Sequence, residues 1–146
     1  DRSEIIKPIV DACRSLAKSQ TSALLVFSRH FDEEYYQSSG EYIDAPISKS
    51  LLESIFFKNS PLHAGAVVIV DFRIMTASSV LPLSDSEDLP PQFGLRHRAA
   101  TGVTEVSEAV SVIVSEETGE ISFAKDGNVN MNLSAVELEA ILKEAL

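Results

Sequence analysis

The run Ala23–Ser28 (ALLVFS) constrains this chain most. It is too short for a stable helix and apolar on every side, which is the mark of a β-strand covered on both faces. Such a strand needs amphipathic elements to cover it, and the flanking sequence supplies them. Over residues 2–20, Ile5, Ile6, Ile9, Val10, Cys13, Leu16 and Ala17 recur at three- and four-residue spacing, predicting one buried helix face. Pro8 interrupts that pattern and places the expected helix start near Lys7, since proline is tolerated in a first turn.

Further along, residues 41–45 read as a brief edge strand, and 29–40 as a loop or short helix. Ser48 is positioned to cap a helix over 49–57 with Leu51, Leu52, Ile55 and Phe56 on one face, closed by Asn59, Ser60 and Pro61. Ala66–Val70 and Arg73–Ser79 are strand-like and separated only by Asp71 and Phe72, so they predict a hairpin. Residues 83–91, rich in serine, acid and proline, form a surface loop. A helix is expected over 95–107, a second hairpin from 110–115 and 121–124, and a helix over 135–146 capped by Ser134. No internal repeat is present. The expected fold is α/β: a single domain, residues 1–146, with a mixed central β-sheet flanked by helices on both faces.

Composition narrows the function. With 22 acidic and 12 basic side chains, the net charge of −10 would repel a phosphate backbone, which argues against nucleic acid as a general partner. A small anion in a local basic pocket remains open. The single cysteine, Cys13, permits no intrachain disulfide and suits a reducing cytoplasmic compartment. It lies in an amphipathic stretch without an activating cation, so it reads as packing rather than as a nucleophile. No window approaches the ~20 apolar residues of a membrane span. The chain opens at Asp1 without methionine and is expected to be a fragment of something longer.

Three clusters could carry chemistry. Arg96-His97-Arg98 places three potential cations after Phe93-Gly94, where a helix N-terminus beside arginine is competent to hold phosphate; a solvated helix face explains them equally. His63-Ala64-Gly65-Ala66 leads into a buried strand with small residues that admit close approach, and its histidine could bind metal; a tight loop is the alternative. Ser115-Glu116-Glu117-Thr118-Gly119 ends a buried strand, where a hydroxyl and a carboxylate could meet phosphate and Mg²⁺. A turn with Gly119 at positive φ accounts for it without any function.

Taken in order, PLHAGAVVIV, LPLS, GLRHRAATGVTEVSEA and VSEETGEISFAKDG closely resemble the diadenylate cyclase domain, especially its membrane-anchored branch, over about residues 5–146. That resemblance implies a reaction in which two facing domains each present one ATP, and two ATP are condensed to cyclic di-AMP and pyrophosphate. A homodimer is therefore needed for catalysis, and Mg²⁺ or Mn²⁺ is the implied cofactor. Of the family's DGA motif, Gly65 and Ala66 survive beside the ribose. Ala64 stands where the family has its catalytic aspartate.

The resemblance further gives Arg96, His97 and Ser115 to the phosphates, Val80 and Leu81 (the latter through its backbone) to the adenine, His63 and Glu117 to the metal, and Arg98 to support of the turn. Arg96 is expected to serve phosphate binding more than folding. Leu95 replaces a threonine found in many relatives, which weakens the phosphate site modestly.

Loss of a general base costs ~10²–10⁴-fold in rate, so the chain as written is expected to be a catalytically impaired cyclase. Because the other site residues remain, a deliberate Asp-to-Ala change is favoured over natural decay. The alternative reading is a non-catalytic regulatory module that binds ATP or cyclic di-AMP, and a weaker one is a structural dimerisation domain. Resemblance also implies a place at the cytoplasmic face of the plasma membrane, reached through a segment absent here, with possible regulatory protein partners.

Overall fold

The computed structural model describes residues 2–31 and 40–146. Eleven elements lie among them: α1 (Arg2–Lys18), β1 (Ala23–Ser28), β2 (Glu41–Pro46), α2 (Lys49–Phe56), β3 (Ala66–Val70), β4 (Arg73–Ser79), α3 (Leu95–Val106), β5 (Val110–Val114), β6 (Ile121–Lys125), β7 (Asn128–Leu133) and α4 (Ala135–Ala145). The strands form one sheet in the order β2-β4-β3-β1-β5-β6-β7. Only β1 and β3 run parallel; every other pairing is antiparallel. The expected mixed sheet is therefore present. The loop or short helix anticipated over 29–40 lies largely outside the described residues.

The alternation of side chains along each central strand explains why the sheet needs cover on both faces. Leu25 and Phe27 of β1, Val67 and Ile69 of β3 and Val112 and Val114 of β5 pack with Ile6, Ile9, Leu16, Leu52, Phe56, Leu138 and Leu142, so α1, α2 and α4 cover one face. Leu24, Val26, Val68 and Ile113 point the other way and pack with Ala99, Ala100 and Val103 of α3. Three helices thus cover one face and one covers the other.

The helix boundaries follow from their caps. Ser48 Oγ accepts from Leu51 N–H, and Ser134 with Glu137 forms a reciprocal capping box that starts α4. The start of α1 differs from expectation, because the helix begins at Arg2 and carries Pro8 inside it. Arg2 donates from Nη2 to the Lys143 carbonyl at 2.6 Å, which fastens the first turn to α4 and offsets the backbone bond that proline removes. Ile5, assigned above to the buried face, is 39% exposed.

Strand β7 was not anticipated. Its sequence, NVNMNL, has little apolar content, yet Asp126-Gly127 before it adopts positive φ at both residues (52° and 79°), the geometry of a type I′ hairpin. Asp71 and Phe72 make the corresponding turn between β3 and β4 at φ 51° and 59°.

Cys13 is fully buried, and burial pushes its thiol up to about 12. This supports the packing role. Under native conditions at pH 8 it is expected to resist alkylation by iodoacetamide and to react only after denaturation, a difference that intact-mass measurement resolves directly.

Candidate functional site

Strands β3, β1 and β5 are neighbours, and the start of β1 lies opposite the end of β5 through the pair Ala23↔Val114. The turn before β3, the turn before β1 and the turn after β5 consequently emerge side by side at one end of the sheet. The first turn of α3 reaches the same place from the opposite face. Between them lies a cavity of about 670 Å³, within the range of small-molecule sites.

His63, Ala64, Gly65, Arg96, His97, Ser115 and Glu117 all line it, so the three clusters separated by some fifty residues of chain share one wall. Ala66, Val80, Leu81 and Arg98 do not line it. Ala66 is buried beneath the turn, and Leu81 is 5% exposed and packs into the core under α3. Val80 is 51% exposed and follows Ser79, whose carbonyl lies against Gly65. Arg98 donates from Nη1 to the carbonyls of Ser84 and Ser86 at 3.2 and 3.3 Å, holding the loop after β4 against α3.

Each lining group is placed by local chemistry. Gly65 has φ +77°, and a Cβ there would stand 2.6 Å from the Ser79 carbonyl oxygen, so only glycine lets this turn sit on β4. His63 Nδ1 lies 2.8 Å from the Ser60 carbonyl oxygen. A carbonyl can only accept, so Nδ1 carries the proton and Nε2 of the neutral ring keeps the lone pair. Ser115 Oγ accepts from Glu117 N–H at 3.2 Å, which leaves its hydroxyl hydrogen to donate elsewhere. Gly119, at φ +74°, closes that turn as anticipated.

Arg96 is more embedded than the sequence indicated. It donates from Nη1 to Ser22 Oγ and from Nη2 to the His63 carbonyl, and its Cζ lies 6.0 Å from the Phe56 ring centroid. Burial lowers its pKa, with Glu116 opposing the shift. The guanidinium is thus part of the fold as well as a wall of the cavity.

His97 stacks on Phe93 with ring centroids 4.6 Å apart. Burial lowers its pKa, and Glu117 and Glu120 pull it back up. The native imidazole therefore binds its proton less tightly than the unfolded one, so below the ordinary pKa near 6.5 the unfolded chain holds more protons. Stability at His97 is fully present above about pH 6.5 and is expected to decline as pH falls through that value. Urea unfolding at pH 5.5 and 7.5 measures this, and His97→Gln should lose less between the two than the parent chain.

Among the described residues, no group of three or more His, Cys, Asp or Glu side chains could hold a metal. His63 and Glu117 offer two donors on the cavity wall. That set fits a hard divalent ion that takes its other ligands from water and substrate phosphates, and it does not make an all-protein cage.

Ser22, Phe56, Lys58 and Met131 also line the cavity and were not anticipated. Ser22 and Lys58 carry no local signal. Met131 arrives on β7, so reading Asp126-Gly127 as a hairpin turn would have pointed to it.

An α/β domain in which a helix N-terminus, an arginine and a histidine converge on a cavity of this size has the architecture to hold a small anionic ligand. The family model described as DAC, DisA bacterial checkpoint controller nucleotide-binding, matches residues 10–129. The chain belongs to this diadenylate cyclase (DAC) family.

Among its relatives, a diadenylate cyclase of Listeria monocytogenes serotype 1/2a (strain 10403S) is 40% identical over 146 residues, covering all of this chain and 54% of that protein. The cyclic di-AMP synthase CdaA of Bacillus subtilis (strain 168) is 39% identical over 138 residues, covering 94% of this chain and 50% of that protein. The crystal structure of an N166C/T172C double mutant of DacA from Staphylococcus aureus superposes with a TM-score of 0.94 at 41% identity, covering 99% of this chain and 97% of that one. The chain spans about half the length of these two curated relatives. Among the described residues, no helix is long and apolar enough to cross a membrane.

Proposed function

We propose that this domain is the ATP-binding, catalytic unit of a diadenylate cyclase, with activity impaired by Ala64. The observation that carries the reading is the convergence of Gly65, Arg96, His97 and Ser115 on one cavity at the N-terminus of α3. Arg96 offers N–H donors beyond the two it already uses, His97 and the Ser115 hydroxyl add more, and the first turn of α3 adds backbone N–H groups. Together they suit the phosphates of ATP. Gly65 lines the same cavity beside position 64, where the resemblance puts the ribose. The family resemblance gives Val80 and Leu81 to the adenine, although neither lines the cavity; Val80 follows Ser79, whose carbonyl lies against Gly65.

Bound Mg²⁺ or Mn²⁺ would neutralise phosphate charge at His63 and Glu117. The chain's own contribution is to hold the triphosphate and to present the ribose 3′-hydroxyl toward the α-phosphate of a second ATP, carried by a facing domain. A homodimer is therefore the working unit. Position 64 sits where a carboxylate would orient or deprotonate that hydroxyl, and alanine does neither. The cytoplasmic face of a membrane, with regulatory proteins nearby, is the setting we infer for the longer protein.

A domain that binds ATP or cyclic di-AMP only to sense it would use the same phosphate groups. Titration calorimetry with ATP, with and without Mg²⁺ or Mn²⁺, is the first test. Saturable, metal-strengthened ATP binding is expected. Cyclic di-AMP binding with no response to ATP would favour the sensor, and no binding of either would leave a structural dimerisation role.

A further inference from the structure

We propose that Ser22 is a positioning residue for this site, acting through Arg96. The inference rests on the ATP-site reading above and deepens it. The guanidinium of Arg96 is held at three points from three separate elements. Ser22 accepts from Nη1 in the turn before β1, the His63 carbonyl accepts from Nη2 in the turn before β3, and the Phe56 ring at the end of α2 lies 6.0 Å away.

Both hydrogen-bond acceptors are neutral oxygens, so they orient the fork without cancelling its charge. Arginine has five N–H donors, and the two used here fix the guanidinium plane while leaving three on a residue that lines the cavity. His63 is followed directly by position 64, so one guanidinium touches both the phosphate wall and the backbone that carries the catalytic position.

Ser22 is the one side-chain acceptor in this clamp, and therefore the one that substitution can remove cleanly. Without it the guanidinium loses its second anchor and swings about the Nη2 bond, and the turn at residues 63–65 loses a fixed partner. A charge-assisted hydrogen bond between groups that are partly buried is worth roughly a tenfold effect or more.

The test compares Ser22→Ala with Ser22→Thr, which keeps the hydroxyl. In the ligand-free chain, hydrogen exchange is followed in the peptide covering residues 60–66, where His63 N–H donates to the Ser60 carbonyl at 3.3 Å. The alanine variant is expected to exchange several-fold faster there, with the threonine variant close to the parent. Unchanged exchange in Ser22→Ala, or equal acceleration in both variants, overturns the proposal.

In the Ala64→Asp background, Ser22→Ala is expected to lower kcat about tenfold, with threonine recovering most of it; an unaltered kcat overturns the positioning role. If the Ala64→Asp chain binds ATP but forms no cyclic di-AMP, the cyclase reading fails, and exchange at residues 60–66 still decides the clamp.

Discussion

Under the proposed cyclase reading, Ala64→Asp is expected to raise the rate of cyclic di-AMP formation by ~10²–10⁴-fold, the range associated with a positioned general base. The structure gives the substitution a favourable setting. Ala64 is exposed on the cavity wall, between His63, whose Nδ1 is fixed by the Ser60 carbonyl, and Gly65, whose turn is locked on β4. A longer side chain therefore meets open space, and the change should move stability by no more than about 0.5 kcal/mol. Aspartate would also add a carboxylate beside His63 and Glu117, on a wall where the described residues form no three-donor group.

The measurement is chromatographic detection of cyclic di-AMP from ATP with Mg²⁺ or Mn²⁺, comparing Ala64 and Ala64→Asp chains at equal ATP occupancy. Under the proposed arrangement of two facing domains, the rate should rise faster than linearly with protein concentration until dimers saturate. An Ala64→Asp chain that binds ATP and yields no product would transfer the case to the sensor reading.

The second large effect concerns Gly102, in the middle of α3. Helix propensity alone favours alanine there by roughly 1 kcal/mol. The tertiary structure reverses the sign. A Cβ at residue 102 would stand 2.2 Å from the Pro82 carbonyl oxygen, 2.7 Å from Ser84 N and 2.9 Å from the Leu83 carbonyl carbon. All three are backbone atoms, and the segment cannot drift away. Ser84 N–H donates to the Arg98 carbonyl at 2.9 Å, and Arg98 Nη1 donates back to the carbonyls of Ser84 and Ser86.

Overpacking of this kind costs about 1–3 kcal/mol or more. Gly102→Ala should therefore destabilise the domain by roughly 2 kcal/mol net, lowering Tm by about 4–8 °C. Differential scanning calorimetry would show it, and an equal or higher Tm would mean that the contact between α3 and residues 82–84 is looser than it looks.

The strands β1, β3 and β5 were legible because each is a short apolar run, and α2 and α4 because Ser48 and Ser134 cap them by side-chain chemistry that depends on near neighbours alone. Two hairpins were legible from the turns between their strands. Strand β7 escaped because its residues are mostly polar; it is an edge strand that needs only one covered neighbour, and its Asp126-Gly127 turn was the available sign. The start of α1 escaped because a bond from Arg2 to a carbonyl 141 residues away helps keep the turns before Pro8 helical.

At the site, the sequence by itself determined which residue types were available for phosphate and metal, because those are properties of the side chains. Only the tertiary structure decided that His63, Arg96 and Ser115 share a wall, since that follows from the strand order β3-β1-β5 and from α3 reaching the same end. It alone made Arg96 part of the fold through Ser22, His63 and Phe56, and drew in Ser22, Lys58 and Met131. Pattern and capping act within a few residues of chain, whereas a cavity is closed by side chains that meet only after the sheet has set its order and register.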